Sequence, residues 1–217
     1  MIKALIFDLD GTLADTIDDI GWSVNRMLSS HGFPTLERED HIAHINNGAF
    51  QLIRRSLPED MREDVEFIRS CLAEYEAEYS GHYIVATSLY PGIKDILSKL
   101  HRMGIKLSVL SNKQDRYVKD IIKALLPEIP FCSVQGQGEL PTKPDPTSAL
   151  TIAQAMRISP REIAFVGDSP VDIQTARNAG MLPVGVSWGY RPRAQLIAEG
   201  AFLTVDSAEE LIRVLAP

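Results

Sequence analysis

Cysteine is scarce. Cys71 and Cys132 are the only two in the chain, too few for a disulfide scaffold and too far apart for a zinc-ligand pair of the Cys-x-x-Cys kind. Long hydrophobic runs are missing as well: the first apolar stretch, residues 2–7, contains Lys3 and stops at Asp8, which is too short for a membrane span or a secretory core. Positive charge is in deficit, with 22 Lys and Arg against 29 Asp and Glu and a formal net charge of -7. A nucleic-acid partner would therefore meet overall repulsion, and no basic stripe offsets it. There is no internal repeat and no low-complexity tract. These absences argue against a disulfide-stapled secreted protein, a membrane protein and a nucleic-acid binder. They leave a protein of a reduced, cytoplasmic compartment, acting as a monomer or homodimer, in which a local site can still hold a small anion.

What is present is a core-forming composition, 45% hydrophobic and 24% charged over 217 residues, enough for one substantial core and a small appended domain. Short apolar runs recur at residues 2–7, 105–110, 131–134, 163–166, 182–186 and 202–205, the mark of strands buried on both faces. Helical patterns lie between most of them. Ile93, Ile96, Leu97, Leu100 and Met103 form one stripe, Val118, Ile121, Ile122 and Leu125 another, and Ser207 with Glu210 makes a capping box for a last helix. The alternation predicts an α/β fold, a Rossmann-like doubly wound parallel sheet whose ligands bind beyond the carboxyl ends of the strands. Residues 15–82 break the alternation: only helical periodicity is visible there, including Val65, Ile68, Leu72, Tyr75 and Tyr79. The expected division is an α/β core of residues 1–14 and 83–217 with a small all-α insert, 15–82, placed after the first strand. Residues 80–91 form a return linker that ends in the turn pair Pro91-Gly92.

The loops at the predicted strand ends each carry a distinct chemical type. Asp8-Leu9-Asp10-Gly11-Thr12 follows the first strand, Ser111-Asn112-Lys113 the second, and Gly167-Asp168-Ser169 the fourth, with Asp172 shortly after; Lys143 lies in a proline-rich loop after the third. Gathering Asp8, Asp10 and Asp168 makes physical sense mainly if a divalent cation sits among them, and an all-oxygen donor set favours magnesium. Such an ion, with Lys143 as a point charge, would also let a carboxylate approach a phosphoryl group. Taken singly each motif has a plain structural explanation: Asp10-Gly11 is a common turn pair, Ser111 could cap a helix, and Lys143 could be a loop lysine. Four such coincidences at consecutive strand ends would be needed to dismiss them together. His41 and His44 are spaced like a zinc pair but lack a third ligand and are assigned no role. The acidic residues of 59–66 and 74–78 read as a solvated helix face, and Trp22 and Trp188 as packing residues.

These motifs, in this order, resemble the haloacid dehalogenase superfamily, whose first motif is Asp-x-Asp-x-Thr and whose later motifs are Ser or Thr, Lys, and a paired acidic loop. The resemblance covers the whole chain. It implies a magnesium-dependent phosphatase of small phosphorylated metabolites in which Asp8 attacks phosphorus to form an aspartyl phosphate that water then hydrolyses. Asp10 would serve as acid and then base, and Lys143 would neutralise developing charge. Thr12, Ser111, Asn112 and Lys143 would bind phosphate; Asp8, Asp168 and the main-chain carbonyl of Asp10 would hold magnesium; Asp172 would orient the lysine.

An insert directly after the first motif resembles the helical-cap group that includes phosphoglycolate phosphatases, phosphoglucomutases acting on β-sugars and small pyrophosphatases. Ile45-Asn46-Asn47-Gly48-Ala49 is similar to a phosphoglycolate phosphatase loop, usually Val-Gly-x-Gly-Ala, with Asn46 in place of its first glycine. Asn46, Asn47, Gly48 and Arg54 are therefore the candidates for substrate choice. The leading expectation is hydrolysis of 2-phosphoglycolate. The alternatives are mutase-like phosphoryl transfer, a pyrophosphatase, and, from another class, a phospho-accepting signalling module, against which the insert and Asp10 both speak.

Overall fold

The computed structural model describes residues 1–215. In chain order the first half comprises β1 (Ala4–Phe7), β2 (Ala14–Asp15), α1 (Ile17–Ser30), α2 (Arg38–His44), α3 (Ala49–Ser56), α4 (Val65–Ser80) and β3 (Ser88–Leu89). The second half comprises α5 (Ile93–Arg102), β4 (Lys106–Gln114), α6 (Asp115–Leu125), β5 (Ser133–Gln137) and α7 (Thr147–Met156). It continues with β6 (Ile163–Gly167), α8 (Pro170–Asn178), β7 (Leu182–Val186), α9 (Arg193–Glu199), β8 (Leu203–Val205) and α10 (Ala208–Leu215). The chain divides into two compact units, one made of Met1–Asp15 with the chain from Leu89 onward, the other of Thr16–Ser88.

The first unit is built on a six-stranded sheet in the order β5-β4-β1-β6-β7-β8. Every neighbouring pair in it is parallel. The strand reading of residues 2–7 follows from full burial: Ala4, Leu5, Ile6 and Phe7 expose nothing, as a central strand covered on both faces requires. Phe7 is aligned with Val109 of β4 and Val166 of β6, so Asp8, Leu110 and Gly167 follow at one level. Ala4, Ile6, Ala149, Ile152, Ala153, Phe165 and Ala176 belong to one core cluster. Several elements differ from expectation: β5 covers Ser133–Gln137 rather than residues 131–134, and the two-residue strands β2 and β3 had no counterpart among the predicted strands. β4 runs on to Gln114 beyond its apolar run, with a register shift against β5 between Leu110 and Gln114, because polar residues at a strand's carboxyl end keep the ladder while their side chains find other partners. At the last helix Ser207 Oγ accepts from Glu210 N (3.2 Å) as a cap should, but the Glu210 carboxylate takes the Asp206 N–H (2.8 Å) and so ties down the residue before the cap.

The second unit is helical, α1 to α4. The buried stripe of α4 is Ile68, Cys71, Tyr75 and Tyr79. Val65, expected in that stripe, is 47% exposed because it stands in the overhanging first turn, next to the cap Asp64 that accepts from Phe67 N. Asp19 on α1 is wholly buried and accepts from Ala86 N (2.9 Å), Thr87 N (2.8 Å) and Thr87 Oγ1 (2.7 Å), so a single carboxylate ties the end of the helical unit back to its beginning. His41 packs against Gly21, where any side chain would lie 2.6 Å from its Cδ2. His44 Nδ1 is 3.2 Å from Ser56 Oγ. Trp22 stacks on His82 with ring centroids 3.7 Å apart. Both cysteines are free thiols, Cys71 buried and Cys132 exposed. Among the described residues no helix is long and apolar enough to cross a membrane.

Candidate active site

The site lies at the carboxyl end of the sheet in the first unit. β1 ends at Phe7, and Asp8 follows it directly, 7% exposed. Gly11 turns the chain with φ +83° and Leu13 N and Ala14 N both reach back to Leu9 O; a left-handed residue here costs glycine little and a branched one much. This tight turn brings Asp10 and Thr12 back over the strand end. Lys143 Nζ lies 2.8 Å from Asp8 Oδ1 and 2.6 Å from Asp172 Oδ1, with 3% of its side chain exposed. Lys113 Nζ lies 2.8 Å from Asp10 Oδ1. Thr12 Oγ1 donates to Asp168 Oδ1 at 3.3 Å.

The acidic loop is a helix start put to a second use. Ser169 caps α8 in a capping box whose reciprocal partner is Asp172: Ser169 N and Oγ donate to Asp172 Oδ2 at 3.1 and 2.6 Å. That leaves Oδ1 of the same carboxylate aimed at Lys143, so one side chain both starts a helix and fixes the lysine. Asn112 makes a comparable pair of hydrogen bonds. Its Nδ2 donates to Lys143 O (2.9 Å) and its Oδ1 accepts from Lys143 N (2.8 Å), so the amide expected beside Ser111 as a phosphate ligand is occupied in holding the main chain of the lysine. Ser111 is buried, and its Oγ accepts from Lys113 N at 3.2 Å.

Asp8, Asp168 and Asp172 each offer an oxygen within 4.8 Å of the others. The electrostatic cost of that cluster is visible in its acidities. Burial, reinforced by Asp172 and Asp10 and opposed by Lys143, pushes Asp8 up to about 7. Asp168 is held well above the usual carboxylate range by burial first, then by Asp172 and Asp8. Burial would lower the Lys143 ammonium, yet Asp172 and Asp8 together raise it, so the lysine stays charged. A buried all-oxygen cluster whose members resist ionising together is what a hard divalent cation relieves, and the donor set fits one.

A further loop, after β7, had no place among the sequence candidates. Trp188 Nε1 donates to Thr12 O (3.1 Å), Tyr190 N to Asp168 Oδ2 (2.7 Å), and Tyr190 Oη to Asp15 Oδ1 (3.2 Å). Between them a side chain on Gly189 would start 2.3 Å from both Asp168 Cβ and Gly11 O, so the backbone here touches the first motif and the acidic loop at once. The available signal was another loop at a strand's carboxyl end; Trp188 read alone as packing concealed it. Of the helical-unit candidates, Asn46, Asn47 and Gly48 carry successive positive φ of 128°, 65° and 84°. Arg54 is engaged within its own unit, with Arg62 O at 2.8 Å and with the Glu63 carboxylate.

Residues 5–186 match the family described as haloacid dehalogenase-like hydrolase, and the chain belongs to it. Curated relatives include a Phosphoglycolate phosphatase of Pseudomonas putida, 33% identical over 97% of this chain and 78% of its own length. Another from Vibrio parahaemolyticus is 31% identical over 99% of this chain and 96% of its own. Among solved structures, a candidate phosphoglycolate phosphatase of Lactobacillus delbrueckii subsp. bulgaricus superposes with a TM-score of 0.92 at 29% identity, covering 98% of both chains.

Proposed function

We propose that the chain is a magnesium-dependent phosphatase of small phosphomonoesters, with 2-phosphoglycolate as its substrate, in which the α/β unit performs the chemistry and the helical unit serves as a cap. The observation that carries this reading is Asp8, buried at the end of the central strand with Lys143 Nζ 2.8 Å from its Oδ1 and Asp10 two residues beyond. The names of the relatives support the choice of ester. Asp8, Asp168 and the Asp10 carbonyl would hold the metal, which would supply charge neutralisation for the approaching phosphoryl group.

An oxygen of Asp8 displaces the alkoxide from phosphorus. Asp10 gives its proton to the departing oxygen and later takes one from the water that attacks the aspartyl phosphate, returning Asp8 to the free carboxylate. Lys143 compensates charge on the equatorial phosphoryl oxygens, while the Ser111 hydroxyl donates to one of them and the Thr12 hydroxyl stays with Asp168. Asp172 orients the lysine ammonium and Asn112 its main chain. Asn46, Asn47 and Gly48 offer main-chain groups in an unusual conformation as the helical unit's contribution to substrate choice, in a protein of the reducing cytoplasm.

Phosphate release from a panel of small esters, including 2-phosphoglycolate, tests the proposal. Release from 2-phosphoglycolate that EDTA abolishes, and that Asp8→Asn abolishes as well, is the expected result. Turnover surviving Asp8→Asn would overturn the nucleophile, and turnover only in the presence of a sugar bisphosphate would identify a mutase.

A further inference from the structure

Lys113 has no part in the mechanism above, yet it is the second cation of the α/β unit's site, and it is part-buried. Its side chain is 8% exposed and its Nζ stands 2.8 Å from Asp10 Oδ1, the Asp10 side chain being 15% exposed. It reaches that position from the irregular end of β4, where the register against β5 shifts between Leu110 and Gln114. Such irregularities re-aim side chains that regular alternation would point elsewhere. In this stretch Ser111 stays buried, Asn112 turns to the Lys143 main chain, and Lys113 turns to Asp10.

The two lysines serve different carboxylates. Lys143 bridges Asp8 and Asp172, on the side of the nucleophile. Lys113 faces Asp10. An acid that protonates a leaving oxygen must lie within about 3 Å of it, so whatever is attached to the carbon beside that oxygen comes within reach of the Lys113 ammonium. A part-buried cation there is matched to an anion carried by the leaving group, and a charge-assisted hydrogen bond in a water-poor site is stronger than one in bulk water.

We infer that Lys113 is a specificity-determining residue: it recognises a carboxylate on the carbon next to the scissile oxygen, and so selects esters of 2-hydroxy acids over neutral alkyl phosphates. This rests on the phosphatase reading of the same site and deepens it. In 2-phosphoglycolate the carboxylate occupies that position; in 2-hydroxyethyl phosphate a neutral hydroxymethyl group replaces it.

The test compares kcat/KM for these two esters in the wild type, Lys113→Gln and Lys113→Arg. The wild type prefers 2-phosphoglycolate, Lys113→Gln shrinks the preference at least about tenfold, chiefly through KM for 2-phosphoglycolate, and Lys113→Arg restores part of it. A smaller change in that ratio, with both esters slowed alike, means that Lys113 acts only through Asp10 and overturns the inference while the phosphatase reading stands. A wild type that turns over neither ester refutes both. A readout needing no substitution accompanies it: glycolate inhibits the wild type competitively where ethylene glycol at the same concentration does not, and equal effects of the two overturn the inference.

Discussion

Replacing Lys143 by methionine removes a charge and keeps the length of the side chain. At an effective dielectric of about 20, the attraction of its ammonium to Asp8 at 2.8 Å and to Asp172 at 2.6 Å is on the order of 6 kcal/mol each. Desolvation of three buried charges offsets much of this, and breaking a buried ion pair from one side costs about 3–5 kcal/mol. The loss depends on pH. Asp8 titrates at about 7 in the folded protein against 3.8 for an ordinary aspartate. A carboxyl raised on folding contributes stability that is fully present below the unfolded value and is lost as pH rises through the folded one. Lys143 opposes that rise, so its removal lifts Asp8 further, each added pH unit being worth about 1.4 kcal/mol. The deficit of Lys143→Met is therefore smallest near about pH 5, where Asp8 carries a proton in both proteins, and grows as pH rises past about 7, so that it is larger at about pH 8 and complete only above the raised Asp8 value of the variant. Urea unfolding of wild type and variant in EDTA at these two pH values measures it, and kcat falls on the order of 10² to 10³ in parallel. An equal deficit at both pH values, or none at the higher one, would refute the electrostatic account of the site.

Two other perturbations follow from contacts described above. Gly189→Ala forces a carbon into Asp168 Cβ and the Gly11 carbonyl, each 2.3 Å away; magnesium affinity, read by calorimetry, falls about 10- to 100-fold, as for other residues that orient metal ligands, and an unchanged affinity would mean that the loop after β7 does not hold Asp168 in place. Asp19→Ala leaves the Ala86 and Thr87 donors without their acceptor at a cost of about 3 kcal/mol or more, and faster amide exchange at Ala86 and Thr87 is the sign to look for.

The legible part of this protein was its alternation. β1 and β6 are buried along their whole length and β7 from Val184 to Val186, so their apolar runs nearly coincide with the observed elements, and the motifs fall where such strands must stop. Features that depend on tertiary contacts were not legible. β4 continues through Ser111-Asn112-Lys113 because polar side chains find partners on other loops, which no window of sequence contains. Asn112 could be placed beside Ser111 but not paired with the main chain 31 positions later. Trp188 and Tyr190 matter through an indole N–H and a backbone N–H, and the second of these leaves no trace in residue type. Val65 has the right spacing for the α4 stripe, but spacing says nothing of where a neighbour ends.

The amide of Asn112 grips the main chain at position 143 on both its N–H and its C=O, as one peptide group would grip another. That grip makes no reference to the side chain found there. The site therefore has a socket whose location is set independently of its occupant, so different side chains can be installed at 143 while the loop keeps its address. Chemistry at this corner of the fold is open to exchange one residue at a time, without rebuilding the frame around it.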